Sequence, residues 1–276
     1  MEESIGRMVD VAPAAVVICT RDRPRELERC LASIAGQEGL AEVLVVDNGA
    51  PPGDTPHGET AQIVAAAGAT YLSEPRRGSS PARNRGLWAA RATLVAFVDD
   101  DCEAEPGWLE AMRQPFAALD VHAVTGQVLP TALTTPAQRL FDRSFPYSKG
   151  TRWLSFGPRP QPYPFPLNAN EMGTGASMAF RRRTLVQLGG FVEALSAGGP
   201  ARGGEDIQAL YGVLRAGHRL VYLPAARVRH PHPQTAAELD RVFFDYGVAH
   251  FAYLTHCCWA GRDAHALRRG AAVFLD

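Results

Sequence analysis

Residues 92–109 of this chain, ATLVAFVDDDCEAEPGWL, decide its fold. Five apolar residues (94–98) run directly into three consecutive aspartates, Asp99, Asp100 and Asp101. A short apolar run that ends in charge predicts a fully buried β-strand. In open α/β sheets, ligands bind in the crevice at the carboxyl ends of such strands. We therefore expect the three carboxylates to border a binding site.

Three adjacent carboxylates repel one another, and a cation among them would remove that cost. Because side chains alternate along a strand, we expect Asp99 and Asp101 on one side of it and Asp100 on the other. Two carboxylates on one side suit Mg²⁺ or Mn²⁺, which keep several waters and add substrate phosphates to their shell. A solvated acidic turn that caps the next helix is the alternative, and the preceding buried strand favours the metal.

A second buried strand is predicted at residues 14–19 (AAVVIC), followed by the polar segment TRDRP. Pro24 in that segment suits the first turn of a helix. A third strand, residues 43–46, ends in Asp47. Two strands joined by a helix predict a βαβ unit with a parallel pair. The chain is therefore expected to fold as an α/β protein.

Polar side chains near these strand ends are suited to a nucleotide. Thr20 and Arg21 offer a hydroxyl and a guanidinium group to a base and to phosphates. Asp47 can accept a hydrogen bond from a base N–H or a ribose hydroxyl, and its alternative role is that of a turn residue. A later helix, preceded by Gly-Ser-Ser, carries Arg83 and Asn84. Its start can hold anionic groups, and a solvated basic surface is the alternative.

A glycine-rich segment, SAGGPARGGED, spans residues 196–206 and ends at the start of a predicted helix. Its glycines predict a mobile loop that closes over a ligand. The helix dipole favours a carboxylate in the first turn, so Asp206 should be ionised and suited to act as a general base. Glu205 is expected to support it. A simple capping carboxylate is the alternative, and the glycine-rich loop favours the base.

Composition and charge exclude several classes of protein. The net charge of −1 offers no basic surface for nucleic acid, so no nucleic-acid partner is expected. Five cysteines without a CxxC pair form no disulfide framework and indicate a reducing compartment. Neither a signal peptide nor a membrane-spanning run is predicted. We expect a soluble, cytoplasmic protein in which a surface helix is the one route to peripheral contact with the inner face of a membrane.

Five motifs occur in a defined order: VVICTRDRP (16–24), VLVVDNGA (43–50), RRGSSPARNRGL (76–87), VAFVDDDCEAEPGWL (95–109) and GGEDIQALYGVLRAGHRLVYLPAARVRHPHP (203–233). Together they resemble glycosyltransferase family 2 over about residues 13–235. This resemblance implies an inverting enzyme of GT-A fold with a UDP-, GDP- or dTDP-sugar donor. It also implies a divalent metal, Mn²⁺ or Mg²⁺, and a hydroxyl-bearing acceptor: a glycan, a lipid-linked molecule or a small molecule.

The resemblance also assigns roles to individual residues. The family's D-x-D element corresponds to residues 99–101, in which the first aspartate faces the ribose or sugar and the last binds the metal. The aspartate of the Glu-Asp pair, Asp206, corresponds to the family's base. By its interval from that pair, His230 corresponds to a metal-binding histidine. The family's donor-binding positions fall on Thr20, Asp47, Arg83 and Asn84.

The predicted organisation is a single α/β domain of GT-A type with a mostly parallel sheet. Residues 1–235 form the glycosyltransferase domain, with a donor-binding part at about 13–110 and an acceptor-side part at about 111–235. Residues 236–276 form a helical extension packed on it. The proline- and aromatic-rich insertion 131–170 either shapes the acceptor side or packs as a loop over the sheet.

Two other functions are compatible with these motifs. A nucleotide-sugar pyrophosphorylase shares the broad architecture, but it would need a Gly-rich phosphate loop where TRDRP follows the first strand. A nucleotide-sugar-binding protein without catalytic activity would not need both the aspartate triplet and the Glu-Asp pair. The presence of both favours a metal-dependent glycosyltransferase.

Overall fold

The computed structural model describes residues 11–49, 58–158 and 164–272. A nine-stranded sheet organises them, with strands β1 (Ala14–Thr20), β2 (Leu40–Asp47), β3 (Thr70–Ser73), β4 (Leu94–Asp99), β5 (Glu103–Ala104), β6 (Val121–Pro130), β7 (Leu154–Phe156), β8 (Ser177–Arg181) and β9 (Arg219–His230). The sheet order is β3-β2-β1-β4-β8-β6-β9-β5, and β7 pairs with β9. The helices are α1 (Pro24–Ile34), α2 (Gly58–Ala66), α3 (Ser79–Ala89), α4 (Trp108–Arg113), α5 (Pro136–Ser144), α6 (Arg182–Gln187), α7 (Glu205–Arg215), α8 (Ala236–Trp259) and α9 (His265–Ala272).

The half of the sheet formed by β3, β2, β1 and β4 is entirely parallel. The buried strands predicted from three apolar runs are confirmed as β1, β2 and β4. In their register Thr20 lies opposite Asp47, and Cys19 lies opposite Asp99. The polar residues that end each strand therefore meet at one edge of the sheet.

The other half of the sheet is mixed, so short antiparallel pairings accompany the mostly parallel arrangement that was predicted. β8 runs antiparallel to both β4 and β6, whereas β6 and β9 are parallel. β8 begins at the edge where β6 ends, because residues 131–176 connect the two strands at that edge. An apolar run predicts a strand but not its direction. β9 is irregular at residues 224–226, since its register with β6 passes from Leu223 opposite Gly126 to Arg227 opposite Gln127.

Both faces of the sheet are covered, and this explains the unbroken apolar runs. In β1, Ala15 and Val17 belong to one core, and Val16 and Ile18 belong to the other. Helices α3, α7 and α8 pack on the first of these faces, and α1 and α4 pack on the second. β4 is divided in the same way, so residues 94–98 are all buried.

The described part of the insertion 131–170 contains regular structure. α5 begins with a capping box formed by Thr135 and Gln138, and it packs against α8 through Phe141. β7 extends the sheet beside β9. The insertion is therefore attached both to the sheet and to the C-terminal helix.

The C-terminal segment, predicted as one helix, is divided into α8 and α9. α8 ends at Trp259: the N–H of Gly261 bonds to the carbonyl of His256, and Arg262 turns the chain with a left-handed φ of +51°. α8 buries Tyr253 in the core of the first face. Within the described residues, no helix combines the length and apolar character needed to span a bilayer.

Gly86 sets the distance between α3 and β1, since a Cβ at this position would collide with the side chain of Val17. We expect Gly86→Ala to destabilise the protein by up to about 2 kcal/mol, because overpacking costs about 1–3 kcal/mol and improved helix propensity offsets only about 1 kcal/mol of it. Denaturant unfolding measures this change in the free energy of unfolding.

Gly212 in α7 provides the matched control. A Cβ there would lie 3.6 Å from Leu188, in ordinary contact. Gly212→Ala should therefore leave the free energy of unfolding unchanged or raise it. Equal free energies for the two variants would show that α3 is not pressed against β1.

Candidate functional site

A cleft of about 300 Å³ lies at the carboxyl ends of β1 and β4, beside the start of α3. Asp99 and Asp100 line it, as does Arg21, whose Nε lies 3.5 Å from a carboxylate oxygen of Asp22. Further polar groups come from Thr20, Arg23, Asn48, Ser79 and Arg83. Hydroxyl, amide, guanidinium and carboxylate groups therefore converge on one opening.

The three aspartates do not alternate as predicted, because β4 ends at Asp99 and the next two residues form a turn. Asp99 accepts a hydrogen bond from Arg83, with 3.0 Å between Oδ1 and Nη2. Asp100 and Asp101 instead share Arg23, whose Nη1 lies 3.0 Å from Asp100 Oδ1 and 2.9 Å from Asp101 Oδ2. Asp99 and Asp101 therefore bind different arginine side chains, Arg83 and Arg23, and do not lie side by side.

Asp100 is buried and binds other groups of the protein. Thr20 donates its hydroxyl to Asp100, with 2.8 Å between Oγ1 and Oδ2. Burial raises the pKa of Asp100 to about 6, while Arg23 opposes this shift and Asp101 adds to it. Thr20 and Asp100, both predicted to contact the donor, thus bind each other. Burial also raises the pKa of Cys19 in the cleft to about 12, so its thiol is protonated at neutral pH and is no nucleophile.

Asp101 and His230 form the part of the site that fits a metal. His230 ends β9, and its Nε2 lies 3.6 Å from Asp101 Oδ1. Asp101 Oδ1 and His230 Nδ1 are buried and have no hydrogen-bond partner among the described residues. An unpartnered carboxylate oxygen that faces an imidazole nitrogen, here Nε2 of His230, suits Mn²⁺ or Mg²⁺. The structure therefore brings together two of the three predicted metal ligands.

Two neighbours of this pair are less suited to the ion. The Sγ of Cys102 and the ligand atoms of Asp101 and His230 all lie within 4.8 Å of one another. Burial raises the pKa of Cys102 well above its usual range, so its protonated thiol is a poor ligand for a hard cation. Asp99, the third predicted ligand, lies outside this group and binds Arg83 instead.

Glu205 and Asp206, at the start of α7, have different surroundings. Glu205 is buried, and its Oε1 accepts hydrogen bonds from Ser79 Oγ and from Arg83 Nη1, the latter at 2.7 Å. Burial raises the pKa of Glu205, and the Arg83 guanidinium opposes that shift. Arg83 thus joins β4 to α7 through Asp99 and Glu205.

Asp206 is half-buried and accepts two backbone hydrogen bonds. Its Oδ2 accepts from the N–H of Gly175 at 2.7 Å, and its Oδ1 accepts from the N–H of Ile207 at 2.8 Å. These two bonds fix the orientation of the carboxylate at the start of α7. A Cβ at Gly175 would lie 2.8 Å from Arg83 Nη2 and 3.0 Å from Asp206 Oδ2. Gly175 therefore marks the place where Arg83 and Asp206 approach each other.

Asp47, predicted to contact a base or ribose, forms a turn. Its Oδ1 accepts from the N–H of Gly49 at 3.0 Å, and its Oδ2 accepts from the hydroxyl of Tyr71 at 3.1 Å. The neighbouring Asn48 lines the cleft. The predicted nucleotide contact of Asp47 stays a prediction, and Asn48 joins it as a candidate.

The start of α3 is closed rather than open to an anion. Asn84, predicted near the donor, exchanges hydrogen bonds of 2.9 Å and 2.8 Å with the backbone of Phe191, so it fastens α3 to the chain beyond α6. The N–H of Ser80 donates to Ser196 Oγ at 3.0 Å. The protein itself therefore occupies the side chain of Asn84 and the N–H of Ser80, while the donor role of Asn84 and the anion site at this helix start stay predictions.

Several residues near the cleft are not among the predicted ones. Ser79 and Asn48 lie within the motifs quoted above, but no local pattern identifies their partners. The hydroxyls of Tyr147 and Tyr246 contact each other, and the Tyr147 ring centre lies 5.2 Å from that of His230. No sequence signal links residues so far apart in the chain.

Two solved structures share this fold. A mannosyltransferase, PcManGT from Pyrobaculum calidifontis in complex with GDP-Man and Mn²⁺, has a TM-score of 0.55 and 20% identity, covering 97% of this chain and 84% of its own. GalNAc-T7 with UDP, GalNAc and Mn²⁺ has a TM-score of 0.57 and 16% identity, covering 85% and 48%. Identities this low show the fold alone, and the predicted α/β class of GT-A type is confirmed.

Curated relatives and a family model give the closer relationship. A pre-mycofactocin glycosyltransferase of Mycobacterium tuberculosis is 29% identical over 219 residues, and the match covers 79% of this chain but less than half, 42%, of that relative. A glucosyl-dolichyl phosphate glucuronosyltransferase of Haloferax volcanii is 24% identical over 241 residues, covering 83% and 72%. The model of glycosyl transferase family 2 matches residues 15–189, more than half of the chain. This chain therefore belongs to glycosyl transferase family 2.

Proposed function

We propose that this chain transfers a sugar from a nucleotide-diphosphate donor to a hydroxyl group of an acceptor, with inversion at the anomeric carbon. The observation that supports it most is the convergence of Arg83 and Asp206 at Gly175, beside the strand end that carries Asp99 and Asp101. Both solved structures of similar fold contain Mn²⁺ and a nucleotide or nucleotide sugar. Family membership also argues against the pyrophosphorylase alternative.

The donor would lie in the cleft between β1, β4 and α3. Arg21 and Arg23 offer guanidinium groups to the diphosphate, which such planar groups bind through paired hydrogen bonds. Asn48 has its amide occupied by neighbouring backbone groups, so it shapes the pocket more than it reads the base. Asp47, Thr20 and Asp100 complete this side of the pocket.

Asp101 and His230 would hold Mn²⁺ or Mg²⁺. When bound, the ion would neutralise negative charge on the diphosphate leaving group as a Lewis acid. Arg23 now pairs with both Asp100 and Asp101, so it already supplies part of that positive charge. Asp99, bound to Arg83, would face the sugar rather than the ion.

Asp206 would act as the general base on the acceptor side. Its oxygens each accept one backbone hydrogen bond, which fixes the carboxylate and leaves lone pairs for a proton. The acceptor hydroxyl would give its proton to Asp206 as its oxygen bonds to the anomeric carbon, while the bond from that carbon to the diphosphate oxygen breaks. A single displacement of this kind inverts the anomeric configuration.

Metal dependence is tested with nucleoside diphosphates. We expect UDP, GDP or dTDP to bind the wild type and raise its melting temperature in the presence of Mn²⁺, because a ligand of the native state stabilises it. Asp101→Asn should lower the Mn²⁺-dependent affinity roughly tenfold or more, the scale of losing support at a metal site. Calorimetric titration with and without Mn²⁺ measures both effects.

The matched control is Asp120→Asn, which removes a half-exposed carboxylate that pairs with Arg219 and belongs to neither the cleft lining nor the metal pair. Its Mn²⁺-dependent affinity should equal that of the wild type. An Asp101→Asn variant that keeps the full Mn²⁺ effect would show that the ion binds elsewhere. Failure of every nucleotide to bind the wild type would contradict the proposed function itself.

The base is tested with Asp206→Asn, which keeps the shape of the side chain but cannot take the acceptor proton. We expect donor and metal binding to be retained and kcat for transfer to fall by roughly 10²-fold or more, the usual scale of a general base. Steady-state transfer rates at saturating donor measure this loss. An unchanged kcat would assign proton removal to another group.

Glu205→Gln separates a structural carboxylate from a catalytic one, because it removes the charge paired with the buried Arg83. We expect the free energy of unfolding to fall by about 1.5–3 kcal/mol, the usual contribution of a hydrogen bond to a charged group. Its kcat should fall less than that of Asp206→Asn. The reverse order of kcat values would make Glu205 the base, and two unaffected kcat values would require a different mechanism.

A further inference from the structure

The glycine-rich loop before Asp206, residues 196–204, is held on two sides. This loop lies beyond residue 189, where the match to the family model ends. On the donor side, Ser196 Oγ accepts from the N–H of Ser80 at 3.0 Å, and the N–H of Ala197 donates to Ser79 Oγ at 2.9 Å. The start of α3 therefore fixes the first residues of the loop.

On the other side the loop is tied to α8 through Arg202. Its Nη1 lies 2.6 Å from Asp245 Oδ1, and its guanidinium carbon lies 5.2 Å from the ring centre of Phe244. Arg202 has a φ of +61°, a left-handed conformation that non-glycine residues adopt uncommonly. Such a conformation persists only where the surroundings hold it. The ion pair with Asp245 and the stacking on Phe244 supply that hold.

The two residues that follow Arg202 lie directly on α8. Gly203 and Gly204 have positive φ values of 146° and 101°. A Cβ at Gly204 would lie 3.2 Å from the carbonyl oxygen of Ala249 and 3.3 Å from Tyr253 Cβ. Only a backbone without side chains passes this close to the helix. Glu205 and Asp206 come next in the chain.

One face of α8 contacts both Arg202 and Gly204. Asp245, Ala249 and Tyr253 are spaced four residues apart, so they lie above one another on the helix. Beside them, Tyr246 contacts Tyr147, whose ring packs against His230. The same helix therefore borders both the loop before Asp206 and the side of the metal pair.

We propose that Asp245 of α8 is a positioning residue for glycosyl transfer, which fixes Asp206 by holding Arg202 and the glycine pair behind it. This inference rests on the proposed role of Asp206 as the base. The Arg202 and Asp245 side chains are 45% and 30% exposed, and an ion pair this exposed contributes little to global stability. The effect of breaking it is therefore local: the loop opens more often and the base is displaced, while the fold persists.

The first test measures the loop without using activity. Asp245→Ala should speed amide hydrogen exchange in peptides covering residues 197–209 by roughly twofold to fivefold, the opening expected from losing an exposed pair. Asp240→Ala is the control, since it makes the same substitution at another, exposed position of α8. Exchange in that control should match the wild type. Equal exchange in all three proteins would overturn the anchoring role of Asp245.

The second test measures transfer. Asp245→Ala should lower kcat roughly tenfold with the donor KM unchanged, since a shift of about 1 Å in a catalytic group can cost up to about 10²-fold. Asp245→Glu, which restores the carboxylate, should recover most of the loss. Arg202→Gly relieves the backbone but removes the guanidinium, so it should reproduce the loss, and combining it with Asp245→Ala should add little.

The outcomes separate this inference from the proposed function. An active wild type whose kcat is unchanged in Asp245→Ala would overturn the positioning role, even if exchange in the loop increases. A donor KM that rises while kcat holds would overturn it too, since the helix would then serve donor binding. A wild type without transfer activity would contradict the proposed function, while hydrogen exchange would still decide whether Asp245 anchors the loop.

Discussion

The buried Arg83 guanidinium is the contact on which the site depends. It binds Asp99 at the end of β4 and Glu205 at the start of α7. Burial alone would lower the pKa of Arg83, but the two carboxylates raise it, so the guanidinium stays charged. A buried charge is tolerated only where partners satisfy it. The strand and the two helices therefore hold one another in place through this one side chain.

The charge around the cleft explains why a cation suits it. Three guanidinium groups, Arg21, Arg23 and Arg83, face five carboxylates: Asp99, Asp100, Asp101, Glu205 and Asp206. A diphosphate would add further negative charge at the same place. Burial is the main cause of the raised pKa of Asp100, and Asp101 and Asp99 add to it through this excess of negative charge. A divalent ion at Asp101 and His230 would remove it, which supports the proposed metal dependence.

Local patterns predicted the strands that carry the site, and tertiary contacts decided the rest. β1 and β4 are covered on both faces, so their sequences are uniformly apolar and their polar ends are easy to locate. The alternation of the aspartates failed, because strand geometry stops at Asp99. Asn84 sits in a motif that resembles the family, but its partner Phe191 comes from a distant segment. Periodicity and spacing report on neighbours in sequence, and neither identifies a partner brought in by the fold.

A few side chains at the ends of strands and helices join the two halves of the site, one before residue 110 and one after residue 200. Arg83 meets Glu205, and Asp101 meets His230, whereas the donor pocket itself is built mainly before residue 110. A related sequence that keeps the Arg83–Glu205 and Asp101–His230 contacts can differ in the segment between them without changing the proposed nucleotide pocket. Under the proposed function, new acceptors would be recruited by changing one side of the cleft while the Arg83–Glu205 and Asp101–His230 contacts stay unchanged.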